Sequence, residues 1–209
     1  MVIVLTIITA SVGAILGYVY KITATPIAQA GAKAQEEAIR QVAPHFDNNP
    51  IAESDTIKTD NGNIVIYPAS LQGNPTGAAV KAHSRNGFNG EIEIIVGLEQ
   101  DGTIRDYRVL SHAETPGLGA KMEQWFRTDK NKQSIIGKNP GHTDMTVTKD
   151  GGDIDAITAS TITSRAFLEA VRTAYTAYTQ GNIDGISGTT ATTSQQHNQH
   201  TATNEEVSK

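Results

Sequence analysis

The first twenty residues, MVIVLTIITASVGAILGYVY, carry no charged side chain. An α-helix rises 1.5 Å per residue, so this segment would span about 30 Å, the thickness of the hydrocarbon core of a bilayer. The alternative is a cleaved signal peptide, which typically has a basic start, a shorter apolar stretch and a small-residue cleavage site. The segment lacks this pattern, and the sequence therefore predicts a transmembrane anchor over residues 1–21.

The remaining sequence divides into three parts. Residues 22–49 predict a juxtamembrane helix or stalk, capped by Thr25, beginning at Pro26 and ending before Pro44. Residues 50–180 predict one folded domain, in keeping with a chain of 209 residues. Residues 181–209 are rich in Thr, Gln, Asn and His, and this composition predicts a disordered tail.

Alternating apolar residues predict an antiparallel sheet in the folded domain. Four segments show this pattern, and the pair Asp101 and Gly102 predicts a hairpin between the last two; the segments are NIVIYPASL, GAAVKAHS, EIEIIVGL and IRDYRVLSH. In EIEIIVGL, every second residue from Ile92 to Leu98 lies on one face. This alternation predicts a sheet with one buried side.

Two helices are predicted to cover that side. One begins near Leu118 and runs through KMEQWF, and the other begins near Ser164 or Arg165 with the sequence SRAFLEAVRTAYTAY. In the second helix, Phe167, Val171, Ala174 and Tyr178 recur at helical spacing. Between the helices, MTVTKD predicts a short strand. The order of elements predicts the α+β class, with a single antiparallel-sheet domain packed with helices.

Charge and composition exclude several functions. The formal net charge is −5, from 17 basic and 22 acidic residues without a basic run, so no nucleic-acid partner is expected. The chain has no cysteine, which excludes disulfides, thiolate metal sites and iron–sulfur clusters. Its six histidines lack metal-binding spacing, so no metal site is predicted.

The stretch HAETPGLGAK, residues 112–121, is the first candidate site. Pro116 restricts the backbone, whereas Gly117 and Gly119 allow a ligand to approach it closely. An apolar Leu118 beside the polar pair Glu114 and Thr115 would suit a flat aromatic ligand. An ordinary strand-to-helix turn has the same composition, and the spacing alone identifies no ligand.

A second candidate is DAITASTITS, residues 155–164, which has many hydroxyl groups directly before a predicted helix. One hydroxyl is accounted for by an N-cap, but the stretch contains five: Thr158, Ser160, Thr161, Thr163 and Ser164. A helix start offers free N–H groups and the positive end of the helix dipole, both of which favour a phosphate. The stretch therefore predicts a hydroxyl that binds or accepts a phosphate group.

These stretches, in this order, resemble the FMN-binding domain of the G-type subunits of Rnf-type electron-transport complexes, a family related to an FMN-binding subunit of the sodium-pumping quinone reductase. The resemblance covers nearly the whole chain, including the anchor. In that family a separate flavin transferase joins FMN, through its phosphate, to the last threonine of a D-x-x-[ST]-G-A-T motif. The resemblance implies that Thr161 is the attachment point, with Asp155, Thr158, Ser160 and Thr163 at the phosphate site. It also implies that the flavin contacts Glu114, Thr115, Gly117, Leu118 and Gly119.

The chain departs from the motif at two positions. Ala159 replaces the glycine and Ser160 the alanine, so a backbone position that tolerates positive φ in relatives is restricted here. A second copy at residues 184–190, DGISGTT, keeps the glycine and matches slightly better. Only the first copy opens an amphipathic helix that can present N–H groups to a phosphate, so Thr161 is predicted over Thr190.

The resemblance implies an electron-transfer subunit of an ion-translocating ferredoxin:NAD oxidoreductase. Its partners would be the other subunits of the complex and the flavin transferase, and no side chain is expected to act as a catalytic acid or base. The family places the soluble domain on the periplasmic side of the bacterial cytoplasmic membrane, although Lys21 as the first charge favours the cytoplasmic side. The alternative function is a non-enzymatic, membrane-anchored binding or assembly domain.

Overall fold

The computed structural model describes residues 1–59 and 62–185, with side chains described up to residue 180. A five-stranded antiparallel meander forms the centre of the domain, in the order β1-β2-β3-β4-β5. Helix α1 precedes the sheet, and helices α2 and α3 follow it. The bounds are α1 Val2–Val42, β1 Asp55–Thr59, β2 Gly62–Leu71, β3 Asn74–Gly87, β4 Gly90–Glu99, β5 Ile104–His112, α2 Met122–Trp125 and α3 Thr161–Gly185. The predicted α+β class with one antiparallel sheet is confirmed.

Helix α3 covers one face of the sheet and forms the main core with it. The alternating residues predicted for β4, from Ile92 to Leu98, are fully buried against α3. On the helix, Phe167 and the other three residues at helical spacing are also buried. The Phe167 ring stacks on Phe126 at 4.5 Å between centroids and meets the edge of Tyr107 at 4.9 Å. Helical periodicity therefore predicted the buried face of α3 correctly.

The end of α1 covers part of the opposite face, so the prediction of one buried side was wrong. Ala38, Ile39 and Val42 form a second apolar cluster with Ile95 and its neighbours on the sheet. A Cβ atom at Gly97 would overlap the carbonyl group of Val42, so glycine permits this close approach. Ile95 interrupts the polar side of the β4 alternation because α1 packs on it.

Helix α1 is continuous from Val2 to Val42, so the predicted helix start at Thr25 and Pro26 was wrong. Proline in a helix interior removes one backbone donor and costs about 3 kcal/mol, a cost that strong helix formers on both sides can offset. Here an apolar segment precedes Pro26 and an alanine-rich segment follows it. The helix is long and apolar enough to cross a membrane, and its most apolar window is fully exposed.

Helix α2 is a single turn preceded by a 3-10 turn at Gly119–Lys121, much shorter than the predicted helix. The hydroxyl of Tyr107 donates to the carbonyl of Met122 at 2.6 Å, and this contact fixes the turn against β5. The segment MTVTKD is not a strand. It has one bridge, from Val147 to Ile154, and a 3-10 turn at Thr148–Asp150.

Helix α3 begins at Thr161, three residues before the predicted start at Ser164. The N–H of Ser164 donates to the carbonyl of Ser160 at 3.0 Å, so Ser164 already lies within the first turn. Its hydroxyl accepts the N–H of Ile157 at 2.9 Å and supports the preceding loop instead of capping the helix. The second motif copy, with Thr190, lies outside the described residues.

Candidate functional site

A cleft of about 320 Å³ lies between the loop after β5 and the start of α3. It brings together the two stretches that the sequence singled out, although 33 residues separate them. The residues lining the cleft are Phe88, Glu114, Thr115, Leu118, Gly119, Ala159, Ser160, Thr161, Ile162 and Thr163. The cleft is therefore the candidate site.

Glu114 joins the two walls of the cleft. Its side chain is buried, and its Oε2 accepts a hydrogen bond from the Thr163 hydroxyl at 2.6 Å. Its Oε1 accepts the backbone N–H of Asn89 at 3.2 Å. A Cβ atom at Gly119 would lie 2.5 Å from Glu114 Oε2 and 2.8 Å from Thr163 Oγ1, so only glycine leaves room for this contact. The loop after β5 is thus fixed directly to the first turn of α3.

The backbone of the loop at residues 113–119 is held by its neighbours. The N–H of Glu114 donates to Nδ1 of His112 at 3.1 Å, and Asn89 Nδ2 donates to the Thr115 hydroxyl at 3.2 Å. Gly117 lies in the left-handed region at φ +76°, a conformation that favours glycine. These contacts fix an exposed backbone beside the cleft.

The start of α3 forms the opposite wall. The first N–H groups of an α-helix have no acceptor within the helix, and the positive end of its dipole attracts an anion. Thr161 is the first residue of α3 and its side chain is partly exposed to the cleft. Ala159 adopts φ +63°, so the left-handed conformation that the motif's glycine would favour is kept here by alanine.

A positive charge lies beside the Thr161 hydroxyl. Nζ of Lys149 donates to Thr161 Oγ1 at 3.2 Å. The adjacent Asp150 forms two hydrogen bonds of 2.7 Å with the Arg165 guanidinium, which connects the Thr148–Asp150 turn to the first turn of α3. These bonds lower the pKa of the Asp150 carboxyl below its ordinary value.

Apolar side chains surround the cleft. Among described residues 43–180, five large hydrophobic side chains are exposed, and three of them line it: Phe88 at 65%, Leu118 at 42% and Ile162 at 47% exposure. Clustering of exposed apolar groups around a concavity is typical of a ligand site. The cleft therefore combines an apolar rim with a cationic, N–H-rich end.

Seven of the ten residues predicted for cofactor binding line the cleft: Glu114, Thr115, Leu118, Gly119, Ser160, Thr161 and Thr163. Gly117, Thr158 and Asp155 are close to it in sequence but do not form its lining. The Asp155 carboxylate instead accepts hydrogen bonds from the Thr148 hydroxyl at 3.1 Å and the Lys132 N–H at 3.2 Å.

Three further residues at the site were missed from the sequence. Phe88 lies between two glycines in NGFNG, and an aromatic residue at such a turn could have been recognised as exposed. Ile162 lies off the helical face defined by Phe167, which also predicts exposure. Lys149 is twelve residues before Thr161, and nothing in the local sequence connects them.

Comparison with known proteins identifies the type of domain. The profile of the FMN-binding domain family matches residues 87–176, which include the whole cleft. The chain is 38% identical over 165 residues to the subunit designated G of the ion-translocating oxidoreductase complex of Vibrio cholerae, covering 74% of this chain and 78% of that protein. The corresponding subunit of Escherichia coli is 36% identical over 163 residues, with the same coverage. That of Aliivibrio fischeri is 44% identical over 112 residues, covering 52% of each protein.

These matches define an FMN-binding domain on a chain with an apolar N-terminal helix. The chain belongs to the family of the G-type subunits of ion-translocating oxidoreductase complexes. The resemblance drawn from the two sequence stretches is thereby confirmed.

Proposed function

We propose that this protein is a membrane-anchored electron-carrying subunit that binds FMN covalently, by a phosphoester bond to Thr161. The observation that carries the proposal is the cleft itself, in which the ETPGLG loop meets the first turn of α3. Its two ends differ in chemistry as the two ends of FMN do. The N–H groups of α3 and Lys149 suit the phosphate, and the apolar rim suits the ring system.

Thr161 is well placed to accept the flavin phosphate. Its hydroxyl oxygen would form the bond to phosphorus as the bond from phosphorus to the leaving group of an activated flavin donor breaks. The hydroxyl proton is lost in the same exchange, so the chain gains one FMN less one water. The Lys149 ammonium, 3.2 Å from Oγ1, would favour the developing negative charge.

The bound FMN would supply the redox chemistry by accepting and donating electrons, and the protein would fix its position and environment. Glu114 and Thr163, through their mutual hydrogen bond, hold the two walls of the cleft together. Leu118 and Ile162, which line the cleft, would restrict the access of water to the apolar end of the bound FMN. No side chain needs to act as an acid or a base in this role.

The relatives are named as subunits of an ion-translocating oxidoreductase complex. We propose that this chain acts with other subunits of such a complex, as part of a ferredoxin:NAD oxidoreductase that moves Na⁺ or H⁺. The exposed apolar part of α1 would anchor it in the cytoplasmic membrane, with the domain on the periplasmic side. A separate flavin transferase would load the cofactor.

The proposal is tested by intact mass spectrometry of the full chain produced with the flavin transferase. The unaltered protein and T190A should each gain the mass of one FMN less one water, and T161A should gain nothing. Flavin retained by T161A and lost by T190A would overturn the assignment. A colourless, unmodified chain would favour a non-enzymatic binding or assembly domain.

A further inference from the structure

The turn between β3 and β4 carries Phe88 to the edge of the cleft. Phe88 and Asn89 form the turn, and the flanking Gly87 and Gly90 pair with each other. Phe88 is the most exposed of the three apolar side chains that line the cleft. Such exposure contributes little to the stability of the domain, so the position of this ring needs another explanation.

A β-bulge sets the direction of this turn. The pair Ser84 and Ile92 is followed by the pair Gly87 and Gly90, so two residues of β3 lie opposite Glu91 alone. A bulge bends its strand and redirects the side chains beyond it, and bulges are frequent beside functional sites. The bulge therefore determines where the Phe88 ring lies relative to α3.

Glu169 on α3 holds the bulge. Its Oε2 accepts hydrogen bonds from the Ser84 hydroxyl at 2.7 Å and from Asn86 Nδ2 at 2.8 Å. The N–H of Asn86 donates in turn to the Ser84 hydroxyl at 3.2 Å. Glu169 lies eight residues after Thr161 on the same helix, so one rigid element positions both the phosphate end of the cleft and the bulge.

Glu114 holds the turn from the other side. It accepts the Asn89 N–H at 3.2 Å, and a Cβ atom at Gly87 would lie 2.7 Å from its Oε1. The turn is thus fixed between two carboxylates, Glu169 before it and Glu114 beside it. Both contacts orient the segment that carries Phe88.

We propose that Phe88 forms one wall of the site for the flavin ring, and that Glu169 is a positioning residue that acts on Phe88 through Ser84 and Asn86. This inference rests on the proposed attachment of FMN at Thr161. It assigns a role to two residues outside both sequence motifs, and it makes the β3–β4 turn part of the cofactor site.

The contact is tested with F88W in the full chain after loading by the flavin transferase. An indole in contact with an excited flavin quenches its emission by reversible electron transfer, so F88W should lose most of the flavin fluorescence of the unaltered protein. The control is L71W, at an exposed position at the end of β2, which should emit as the unaltered protein does. Undiminished emission from F88W, with flavin mapped to Thr161, would overturn this inference but not the proposed function.

The role of Glu169 is tested in the same background. E169A should restore much of the emission of F88W, because the indole is no longer held against the ring. Quenching of the flavin by iodide separates positioning from general stability. Added to the otherwise unaltered protein, E169A should increase this quenching. Added to F88A, which lacks the aromatic ring, E169A should cause no further increase. The control E99A removes a carboxylate at the other end of β4, where Glu99 contacts Arg105 at 3.3 Å.

The possible failures can be told apart by mapping the flavin on every variant. An unmodified Thr161 peptide in the unaltered protein would refute the proposed function and this inference together. Emission from E169A/F88W as low as that from F88W would refute the positioning role of Glu169. An equal gain in emission from E99A/F88W would refute it as well, because the effect would then not be specific to the bulge.

Discussion

Ala159 adopts a backbone conformation that alanine disfavours, at the point where the chain enters α3. Its φ of +63° lies in the left-handed region, where a Cβ atom crowds the following carbonyl. The sequence indicated that alanine restricts this position, but the structure keeps the left-handed conformation. The chain keeps this conformation although it costs energy. This is expected if the loop must adopt it to place Thr161 at the start of α3.

A159G should therefore stabilise the domain. Glycine removes the left-handed strain, and the net gain in the free energy of unfolding is expected to be about 1 kcal/mol after its greater freedom in the unfolded chain is counted. Urea-induced unfolding measures it. The control A156G, at a position without positive φ, should instead lose about 0.5–1 kcal/mol. Equal losses in both variants would contradict the account.

Lys149 lies beside the proposed acceptor hydroxyl, and its side chain is exposed. Because solvent weakens exposed charge interactions, K149Q should slow flavin attachment only about two- to fivefold. The initial rate of mass gain measures this, and the difference should shrink at high salt. K132Q, which removes another exposed lysine, should keep the original rate. A rate for K149Q equal to that of K132Q would show that the ammonium has no effect on attachment.

The loop before α3 depends on Asp155, which connects three segments of the chain. Its carboxylate accepts hydrogen bonds from Thr148 and Lys132, and its carbonyl accepts the Trp125 indole N–H at 2.9 Å. Asp155 therefore contributes to the site by holding the loop in place. These hydrogen bonds give Asp155 an architectural role at its position in the motif.

D155A should lower the free energy of unfolding by about 1–3 kcal/mol, since one backbone donor, the Lys132 N–H, and one side-chain donor, the Thr148 hydroxyl, lose a charged acceptor. T148A should cost less, and the double variant less than the sum of both, because the two residues share one hydrogen bond. Urea-induced unfolding of the four proteins provides the cycle. Strictly additive losses of unfolding free energy in the double variant, or an unchanged stability of D155A, would refute the role of Asp155 in holding the loop.

Strands β2 to β5 and helix α3 were predictable from the sequence, whereas strand β1, the extent of α2 and the continuity of α1 were not. Alternation identified the faces of β4, and helical spacing identified the buried face of α3, because both patterns arise directly from burial. The extent of α2 depends on Tyr107, which is distant in sequence and fixes the turn through the Met122 carbonyl. The start of α3 was ambiguous because several hydroxyl residues in succession could each cap a helix.

At the scale of the whole molecule, α1 connects the apolar N-terminal segment directly to the sheet. Its last turns pack Ala38, Ile39 and Val42 on the face opposite α3. The sequence predicted the helix but not this packing, because alternation in β4 shows only that Ile95 is apolar and not what covers it. Likewise, the two stretches that line the cleft were singled out in the sequence, whereas Lys149 and Phe88 are brought to it by tertiary contacts.

I39A should lower the free energy of unfolding of the domain by about 2–5 kcal/mol, because it leaves a cavity between α1 and the sheet. I27A, on an exposed part of the same helix, should change it by about 0.5 kcal/mol or less. Thermal or urea unfolding of both variants in detergent makes the comparison. If I39A proved as stable as I27A, the packing of α1 on the sheet would contribute nothing to the fold.

The central claim is that the flavin is held at the start of α3, and peptide mapping of the unaltered, loaded protein tests it most directly. Trypsin cleaves after Lys149, Arg165 and Arg172, so the two motif copies fall in separate peptides, residues 150–165 and residues 173–209. The account predicts one FMN less one water on the first peptide, at Thr161, and an unmodified second peptide. Flavin found on residues 173–209, with residues 150–165 unmodified, would contradict it.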